Sequence, residues 1–493
     1  MQYISTRNAQ NSVSGAAAIA GGLSPDRGLY TPKQVPCITQ AELEQLCAMD
    51  YPARASYVIA KFLDDYTPDE LLDYAQKAYG GNKFDGHPAP VKHVYDNAYF
   101  LELWHGPTAA FKDMALQILP YLLTAALKKT DEKRTAVILV ATSGDTGKAA
   151  LEGFADVEGT KISVFYPKDG VSRIQQLQMT TQQGGNVFVS AVQGNFDSVQ
   201  TKVKDIFTSL DMQKQLDQKE MFFSSANSIN WGRAVPQIVY YVSAYCDMVK
   251  NGAIKMGDAI NVCVPTGNFG NILAAYYAKR MGVNIAKLIC ASNKNNILTD
   301  FLATGEYNKN REFYVTNAPA MDILVSSNLE RLLFEMSGQD SDYINRLMAE
   351  LDKQGTYRVN AQIKEQLDRQ FYGGCCDQNR TLGVIKEMFG KYNYLIDTHT
   401  AVGVDVYDKY VEQTGDTTKT VIASTASAYK FADSVLAALG LDSTGEGLPR
   451  RLNDATRVKI PAPIIGLESR EERFRGECTQ EEIEGLILAG LDL

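Results

Sequence analysis

Apolar residues in the middle of the chain alternate between short continuous runs and longer stretches with helical spacing. The runs predict six strands, over residues 135–142, 161–167, 186–192, 221–226, 259–265 and 286–292. Helical patterns lie between them, for example over residues 146–155, 174–183 and 228–250. Strands that are apolar throughout need cover on both faces. The alternation therefore predicts a doubly wound α/β fold, with these strands in one mainly parallel sheet and right-handed crossovers.

The flanking regions have different patterns. Residues 1–95 mix short helical patterns with proline and glycine, which predicts an N-terminal domain before the α/β core of residues 96–325. Residues 326–390 have no strand pattern and predict a helical insertion. Strand patterns return at 392–397 and 419–425, so residues 391–445 are expected to complete the core and 446–493 to form a C-terminal tail.

Composition excludes several classes of protein. A chain of 493 residues is longer than one hydrophobic core usually supports, and its 45% apolar and 22% charged residues are ordinary for a soluble globular protein. The net charge of −9 argues against broad binding to nucleic acid or anionic membranes. Eight cysteines and four histidines are scattered without metal-ligand spacing, so we expect no metal site. No signal peptide or apolar run of membrane-spanning length is evident, which predicts a cytoplasmic protein.

The segment 264–282, VPTGNFGNILAAYYAKRMG, predicts a strand, a glycine-bearing loop and a helix. Backbone N–H groups at the start of such a helix can bind a phosphate without a lysine. The residues concerned are Gly267, Asn268, Phe269, Gly270 and Asn271. The alternative is a plain strand-to-helix turn in which the glycines serve packing.

The segment 140–150, VATSGDTGKAA, resembles a P-loop only superficially. A P-loop needs glycine at position 142 and serine or threonine at 149, where this chain has Thr142 and Ala149. A loop of small hydroxyl residues at a helix start suits a carboxylate better, with Ser143, Gly144 and Thr146 as the candidate ligands together with Thr142. Alternatively, Asp145 or Thr146 simply caps the following helix.

Lys112, in LELWHGPTAAFKDMALQ (101–117), lies between Phe111 and Asp113 at the start of an apolar helical pattern. Such a lysine is usually a surface residue. A lysine that is partly desolvated beside an aromatic ring can instead have a lowered pKa, as a Schiff-base amine requires. A lysine, a phosphate-binding loop and a carboxylate-binding loop together indicate pyridoxal phosphate and an amino-acid substrate.

These segments resemble the long, bacterial and fungal type of the threonine synthase family. The resemblance rests on HGPTAAFKD, ATSGDTG, SSANSINWGR (224–233) and PTGNFGN, and extends to YISTRN…GGLSPDRGLYTP (3–32) and NAPAMDI (317–323). It covers the chain from its first residues to about residue 435. Two segments depart from the family pattern: DTHTA (397–401) has Thr398 in place of proline, and TASAYKF (425–431) lacks a histidine and a proline.

The resemblance implies a fold-type II pyridoxal-phosphate enzyme similar to the β subunit of tryptophan synthase. It implies that Lys112 binds the cofactor, that Thr425 contacts the pyridine nitrogen and that Asp145 lies near the phenolic oxygen. It also implies conversion of O-phospho-L-homoserine and water to L-threonine and phosphate, the last step of threonine biosynthesis.

The side chains that would bind the substrate phosphate are not settled by the resemblance. Arg233 and Asn230 are the first candidates, because a guanidinium binds phosphate through two parallel hydrogen bonds. Lys168 and Arg173 are further candidates. His105 and His399 are interpreted as hydrogen-bonded structural residues.

Three other functions stay open at this stage. A serine or threonine dehydratase would share the fold and cofactor, a nucleotide-binding protein would use DTGK, and a silent homologue would keep the fold alone. The chain could be a monomer or a homodimer.

Overall fold

The computed structural model describes residues 1–194 and 196–491. Three antiparallel strands and four helices begin the chain: β1 (Tyr3–Ser5), β2 (Ser12–Val13), α1 (Gly15–Gly21), β3 (Tyr30–Pro32), α2 (Gln40–Ala48), α3 (Tyr51–Phe62) and α4 (Pro68–Tyr79). Local sequence explains where the last helices start. Thr39 with Glu42 and Thr67 with Glu70 form capping boxes, and the Asp50 side chain caps α3.

Two mainly parallel sheets form the α/β core. In chain order, the elements from residue 91 to residue 292 are β4 (Val91–Tyr95), β5 (Ala98–Glu102), α5 (Asp113–Leu116), α6 (Leu119–Lys129), β6 (Thr135–Ala141), α7 (Asp145–Phe154), β7 (Thr160–Pro167), α8 (Arg173–Thr180), β8 (Val187–Val192), α9 (Phe196–Thr208), α10 (Leu210–Asp217), β9 (Met221–Ser224), α11 (Trp231–Lys250), β10 (Ile260–Pro265), α12 (Gly270–Met281) and β11 (Ile285–Ser292). The remaining elements are α13 (Ile297–Thr304), β12 (Glu306–Asn308), α14 (Leu329–Met336), α15 (Ser341–Gln354), β13 (Thr356–Arg358), α16 (Ala361–Gln370), β14 (Phe371–Cys375), α17 (Gln378–Tyr392), α18 (Thr398–Thr414), β15 (Thr420–Ser424), α19 (Ala432–Ala438), α20 (Leu448–Thr456), β16 (Glu477–Cys478) and α21 (Ile483–Gly490).

The strand order separates the two sheets. One has the order β14-β11-β10-β15-β5-β4, parallel except for β4, and the other has the order β16-β8-β7-β6-β9, parallel throughout. The predicted α/β class is therefore confirmed, and so are the six strands. The prediction of one sheet is wrong, because β10 pairs with β15 and β11 pairs with β14, and neither pairs with β6–β9.

Two other predictions differ from the structure. Residues 393–397 form no strand: Asn393, in the left-handed conformation, ends α17, and Asp397 caps α18, which leaves an extended link whose Tyr394 and Ile396 are buried. Residues 326–390 are not purely helical, since β14 lies at the edge of a core sheet. Gly373 and Gly374 weaken its apolar pattern, and they are needed because Gly374 packs against Val406.

The terminal segments pack onto the core. Trp231, buried at the start of α11, contacts the rings of Tyr3, Phe62 and Tyr277 at centroid distances of 5.4–5.6 Å. At the other end of the chain, β16 extends the five-stranded sheet and α21 buries Ile483 and Ile487 against it. Residues 492 and 493 of the predicted tail lie outside the described residues. The domain boundaries themselves stay predictions.

Candidate active site

A cavity of about 340 Å³ opens at the carboxyl ends of the parallel strands. Its walls include Lys112 and the loops that follow β6, β10 and β15. Ligands of open α/β sheets collect at this edge. Of the predicted site residues, the structure brings together Lys112, Thr142, Ser143, Asp145, Thr146, Arg233, Gly267, Asn268, Phe269, Gly270, Asn271 and Thr425.

Lys112 stands at the beginning of α5, on a loop that is bonded to the end of β15. The Phe111 N–H donates to the Thr425 carbonyl (2.8 Å), and Ala110 and Ala426 form a β-bridge. The Lys112 ammonium lies 4.2 Å from the centre of the Phe111 ring and 3.9 Å from a carboxylate oxygen of Asp145. Burial, with help from Arg233 and against the pull of Asp145, lowers the Lys112 pKa from 10.5 to about 8. A useful fraction of the amine is therefore unprotonated near neutral pH.

Asp145 is the first residue of α7 and is almost completely buried. Its Oδ1 lies 3.0 Å from the Lys430 ammonium and accepts a hydrogen bond from Gln175 Nε2 (2.7 Å). Burial by itself would raise the Asp145 pKa, but Lys430 and then Lys112 hold that pKa below its usual range. The site therefore contains a fixed negative charge next to the reactive amine.

The loop after β10 has the geometry predicted for phosphate binding. Phe269 adopts the left-handed conformation (φ 63°) immediately before α12 begins at Gly270. Because Gly267–Asn271 line the cavity, the successive backbone N–H groups at this helix start lie at the cavity wall. Asn271 Oδ1 accepts hydrogen bonds from Tyr240 (2.7 Å) and Tyr241 (2.5 Å). Its buried Nδ2 has no protein acceptor within the described part of the chain. An unpaired donor beside a helix N-terminus suits an anion such as a phosphate.

Gly267 offers a test of this loop. A Cβ at this position would lie 2.5 Å from the Ala320 carbonyl oxygen, so the Gly267→Ala variant must displace the backbone. We expect it to weaken binding of pyridoxal phosphate about 10- to 100-fold, the effect of a 1–3 kcal/mol overpacking cost. Titration of the apoprotein by absorbance measures this. Gly390→Ala, in the open environment of α17, is the matched control and should bind the cofactor normally. Normal affinity in both variants would contradict the assignment.

The loop after β6 is held by Thr142, whose buried Oγ1 accepts hydrogen bonds from the N–H groups of Gly144 (3.0 Å) and Gly147 (2.8 Å). Gly144 has φ 123°, and its missing side chain leaves room for Gln175, 2.5 Å from where a Cβ would be. Gly144 is also the N-cap of α7 and has no side chain to cap the helix, so the bond from the Gly147 N–H goes to Thr142 instead. The capping alternative for Asp145 and Thr146 is thus not what the structure shows, and the helix start faces the cavity.

The structure separates the predicted phosphate-binding cations. Arg233 lines the cavity and is buried; its Nη1 donates to the Ala226 carbonyl (3.1 Å), and its Nε has no acceptor among the described residues. Burial lowers its pKa to about 10. Asn230 instead binds the Ile19 and Ser225 carbonyls and caps α11. Lys168 is half exposed and pairs with Glu477 at 2.7 Å, outside the cavity lining. Neither Asn230 nor Lys168 lines the cavity, because both side chains bind other partners, and their contacts with a phosphate stay predictions.

Two histidines were interpreted as structural. His399 lines the cavity, but its Nδ1 is 2.8 Å from Asp397 and its Nε2 accepts from the Ala320 N–H (3.1 Å). His105 contacts Glu102 (2.9 Å) and stacks on Trp104. Both interpretations agree with these contacts. Arg173, the remaining cation candidate, is exposed and pairs with Glu472.

Sequence reasoning missed several cavity residues. Arg7 and Arg27 come from the N-terminal segment, and Phe196, Gln200, Val203 and Phe207 come from one face of α9. The i, i+4, i+7, i+11 spacing on α9 is a signal that could have marked a face turned to the interior, but not which interior surface.

Two kinds of feature are absent from the described residues. No group of three or more histidine, cysteine or acidic side chains could hold a metal ion there. Nor does any described helix combine the length and apolar character needed to cross a membrane.

Comparison with known proteins places this site in a class. Residues 87–354 match the family model of pyridoxal-phosphate-dependent enzymes, so the chain is a member of that class. Within it, residues 2–79 match the threonine synthase N-terminal model and residues 400–487 match the threonine synthase C-terminal model. The chain belongs to the threonine synthase family.

Individual relatives agree with this membership. A structure of pyridoxal-phosphate-bound threonine synthase from Brucella melitensis superposes with a TM-score of 0.87 at 34% identity, covering 99% of both chains. Threonine synthase of Schizosaccharomyces pombe is 36% identical, over 89% of each chain. Human threonine synthase-like 1 is 39% identical over 87% of this chain, which spans only 58% of the human protein's length.

Proposed function

We propose that this protein is a threonine synthase that uses pyridoxal phosphate to convert O-phospho-L-homoserine and water to L-threonine and phosphate. One observation carries the proposal: a buried lysine with a lowered pKa shares a cavity with a phosphate-binding loop and a second, buried cation. The two anion sites match a cofactor phosphate and a substrate phosphate.

The residues present fit the cofactor. The N–H groups of Gly267–Asn271 and the unpaired Asn271 amide would bind its phosphate, and the Lys112 amine would bind its aldehyde. Thr425, directly after β15, would contact the pyridine nitrogen, and Asp145 would lie near the phenolic oxygen. The Thr425 hydroxyl is neutral and, unlike an aspartate, would not force the ring nitrogen to be protonated.

Bound pyridoxal phosphate supplies an electron-withdrawing ring conjugated to the α-carbon of the substrate. Lys112, once free, takes the proton from Cα and is the best-placed group to move the second proton at Cβ. Phosphate then leaves Cγ, a proton returned to Cγ makes the methyl group, the hydroxyl of water adds at Cβ, and a proton returned to Cα completes threonine. The lowered pKa of Lys112 allows the same amine to accept and return these protons at neutral pH.

The substrate would be oriented by the loop before α7 and by Arg233 of α11. The loop of Ser143 and Thr146, at the start of α7, would bind the substrate carboxylate. Arg233 would bind the leaving phosphate through its guanidinium, whose Nε has no acceptor among the described residues. The substrates of a serine or threonine dehydratase carry no phosphate that such an arginine could bind.

Borohydride reduction of the reconstituted protein, followed by peptide mapping, tests the cofactor attachment. We expect one modified residue, Lys112. In parallel, phosphate release from O-phospho-L-homoserine is compared with keto-acid release from serine and threonine. Phosphate release supports the proposal, and keto-acid release alone would assign a dehydratase. A colourless protein that is inert toward all three substrates would refute both.

We further propose that the enzyme acts in the cytoplasm, at the last step of threonine biosynthesis, as a monomer or homodimer without a nucleic-acid partner. The net charge of −9 supports the last point. Light scattering of the purified protein distinguishes monomer from dimer.

A further inference from the structure

Lys430 is a completely buried lysine next to the candidate active site. Its ammonium is 3.0 Å from Asp145 Oδ1, and it donates hydrogen bonds of 2.8 Å to the Thr108 carbonyl and to Gln178 Oε1. All three donors are therefore used. A buried ammonium is costly unless it is paired and hydrogen-bonded in this way.

Two of the three partners of Lys430, Thr108 and Asp145, are connected to Lys112. Thr108 belongs to the loop that carries Lys112 and binds Asp113, the residue after it, through its N–H (2.8 Å) and hydroxyl (2.7 Å). Asp145 turns its other oxygen, Oδ2, toward the Lys112 ammonium at 3.9 Å. One carboxylate thus lies between two buried lysines.

We propose that Lys430 is a positioning residue, which binds the Asp145 carboxylate and offsets its negative charge so that this carboxylate does not hold the Lys112 amine in its protonated form. Lys430 does not line the cavity, and it acts through Asp145 and the Thr108 loop. This proposal deepens the function proposed above, because it concerns the reactivity of the same lysine.

The charges around Lys112 give the direction of the effect. The charged groups that act on it are Asp145 of α7, Arg233 of α11, Lys430 after β15, and Asp397 at the start of α18. Burial is the main cause of the lowered pKa of Lys112; Arg233 and Lys430 lower it further, and Asp145 and Asp397 raise it. Without Lys430, Asp145 would keep its hydrogen bond from Gln175, and Lys112 would be the lysine that pairs with it. The Lys112 ammonium would then be stabilised, and its pKa would rise.

Competitive labelling with acetic anhydride measures the protonation of Lys112 directly. The full-length protein freed of cofactor is labelled across a pH series, and the Lys112 peptide is quantified by mass spectrometry. In the unaltered chain we expect half-maximal labelling near pH 8. In Lys430→Met the midpoint should rise by about one pH unit, so that labelling at pH 7 falls about tenfold.

Two variants serve as controls. Lys148→Met removes another buried lysine of the same neighbourhood, which pairs with Glu152 (2.8 Å) and Gln182 and not with Asp145. It should leave the Lys112 midpoint unchanged. Lys430→Arg keeps the charge and should retain a midpoint near that of the unaltered protein. An unchanged midpoint in a folded Lys430→Met protein would overturn the proposal, and so would an equal shift in Lys148→Met.

Folding need not prevent the test. If Lys430→Met does not fold, Lys430→Gln removes the charge while its amide can still donate to the Thr108 carbonyl. The same midpoint shift is expected, and its absence would equally overturn the proposal. The labelling needs no cofactor or substrate. Failure of the borohydride mapping would refute the proposed function but leave the labelling result interpretable, so the two proposals fail separately.

Discussion

Replacing Lys112 with alanine is expected to reduce phosphate release from O-phospho-L-homoserine by about 10³-fold or more, within the range attributed to a positioned general base and to loss of a covalent attachment. Lys112 lines the cavity beside the Asp145 carboxylate, whereas Lys430, on the other oxygen of Asp145, does not line it. Steady-state phosphate release measures the loss, and the reduced cofactor should no longer be found on the Lys112 peptide.

Chemical rescue is the control for this variant. Ethylamine in the assay should restore part of the Lys112→Ala activity, because it returns an amine to the cavity. It should not restore activity lost through a change elsewhere in the cavity. Turnover that persists in Lys112→Ala without added amine would exclude Lys112 as the base.

Replacing Arg233 with methionine is expected to lower kcat/KM for O-phospho-L-homoserine by about 10²-fold or more, since truncating one partner of a buried charge pair usually costs 2–5 kcal/mol. The guanidinium is buried, with an unpaired Nε at the cavity wall. Affinity for L-threonine, which carries no phosphate, and for the cofactor should stay nearly unchanged.

The matched control for this substitution is Arg173→Met. Arg173 is exposed and pairs with Glu472 at 3.0 Å, so its loss should leave kcat/KM unaltered. Equal losses in the two variants would point to a general effect of lost positive charge. Equal weakening of threonine and phosphohomoserine binding in Arg233→Met would remove the arginine from the phosphate site.

The strands of the core could be predicted from sequence because they are apolar throughout and their boundaries carry polar or glycine residues. Their division between two sheets could not, because it depends on pairing with β5 and β15, which are far apart along the chain. The strand β14 escaped prediction because its two glycines pack against neighbours that only the folded chain brings near. The predicted strand at 392–397 was wrong because Asn393 ends α17 and Asp397 caps α18, which leaves too few residues between them for a strand.

The candidate site divides in the same way. Lys112 and the residues Gly267–Asn271 belong to contiguous segments, so local pattern and resemblance were enough to find them. Asn230 and Arg233 are three residues apart, yet the Asn230 side chain binds the carbonyl of Ile19 and the Arg233 side chain lines the cavity. That difference is set by the Ile19 carbonyl of α1, which sequence spacing does not reveal. Lys430 lay in a recognised segment, but its role depends on distances to Asp145 and Thr108.

The join between the Lys112 loop and the end of β15 uses main-chain groups: Phe111 N–H to the Thr425 carbonyl, and Ser427 N–H to the Ala109 carbonyl. A main-chain join does not depend on which side chain is present, so evolution can exchange the residue at position 427 without moving the lysine. Proline is the exception at positions 111 and 427, because it has no N–H to give. The missing histidine of TASAYKF is thus a substitution that this architecture tolerates.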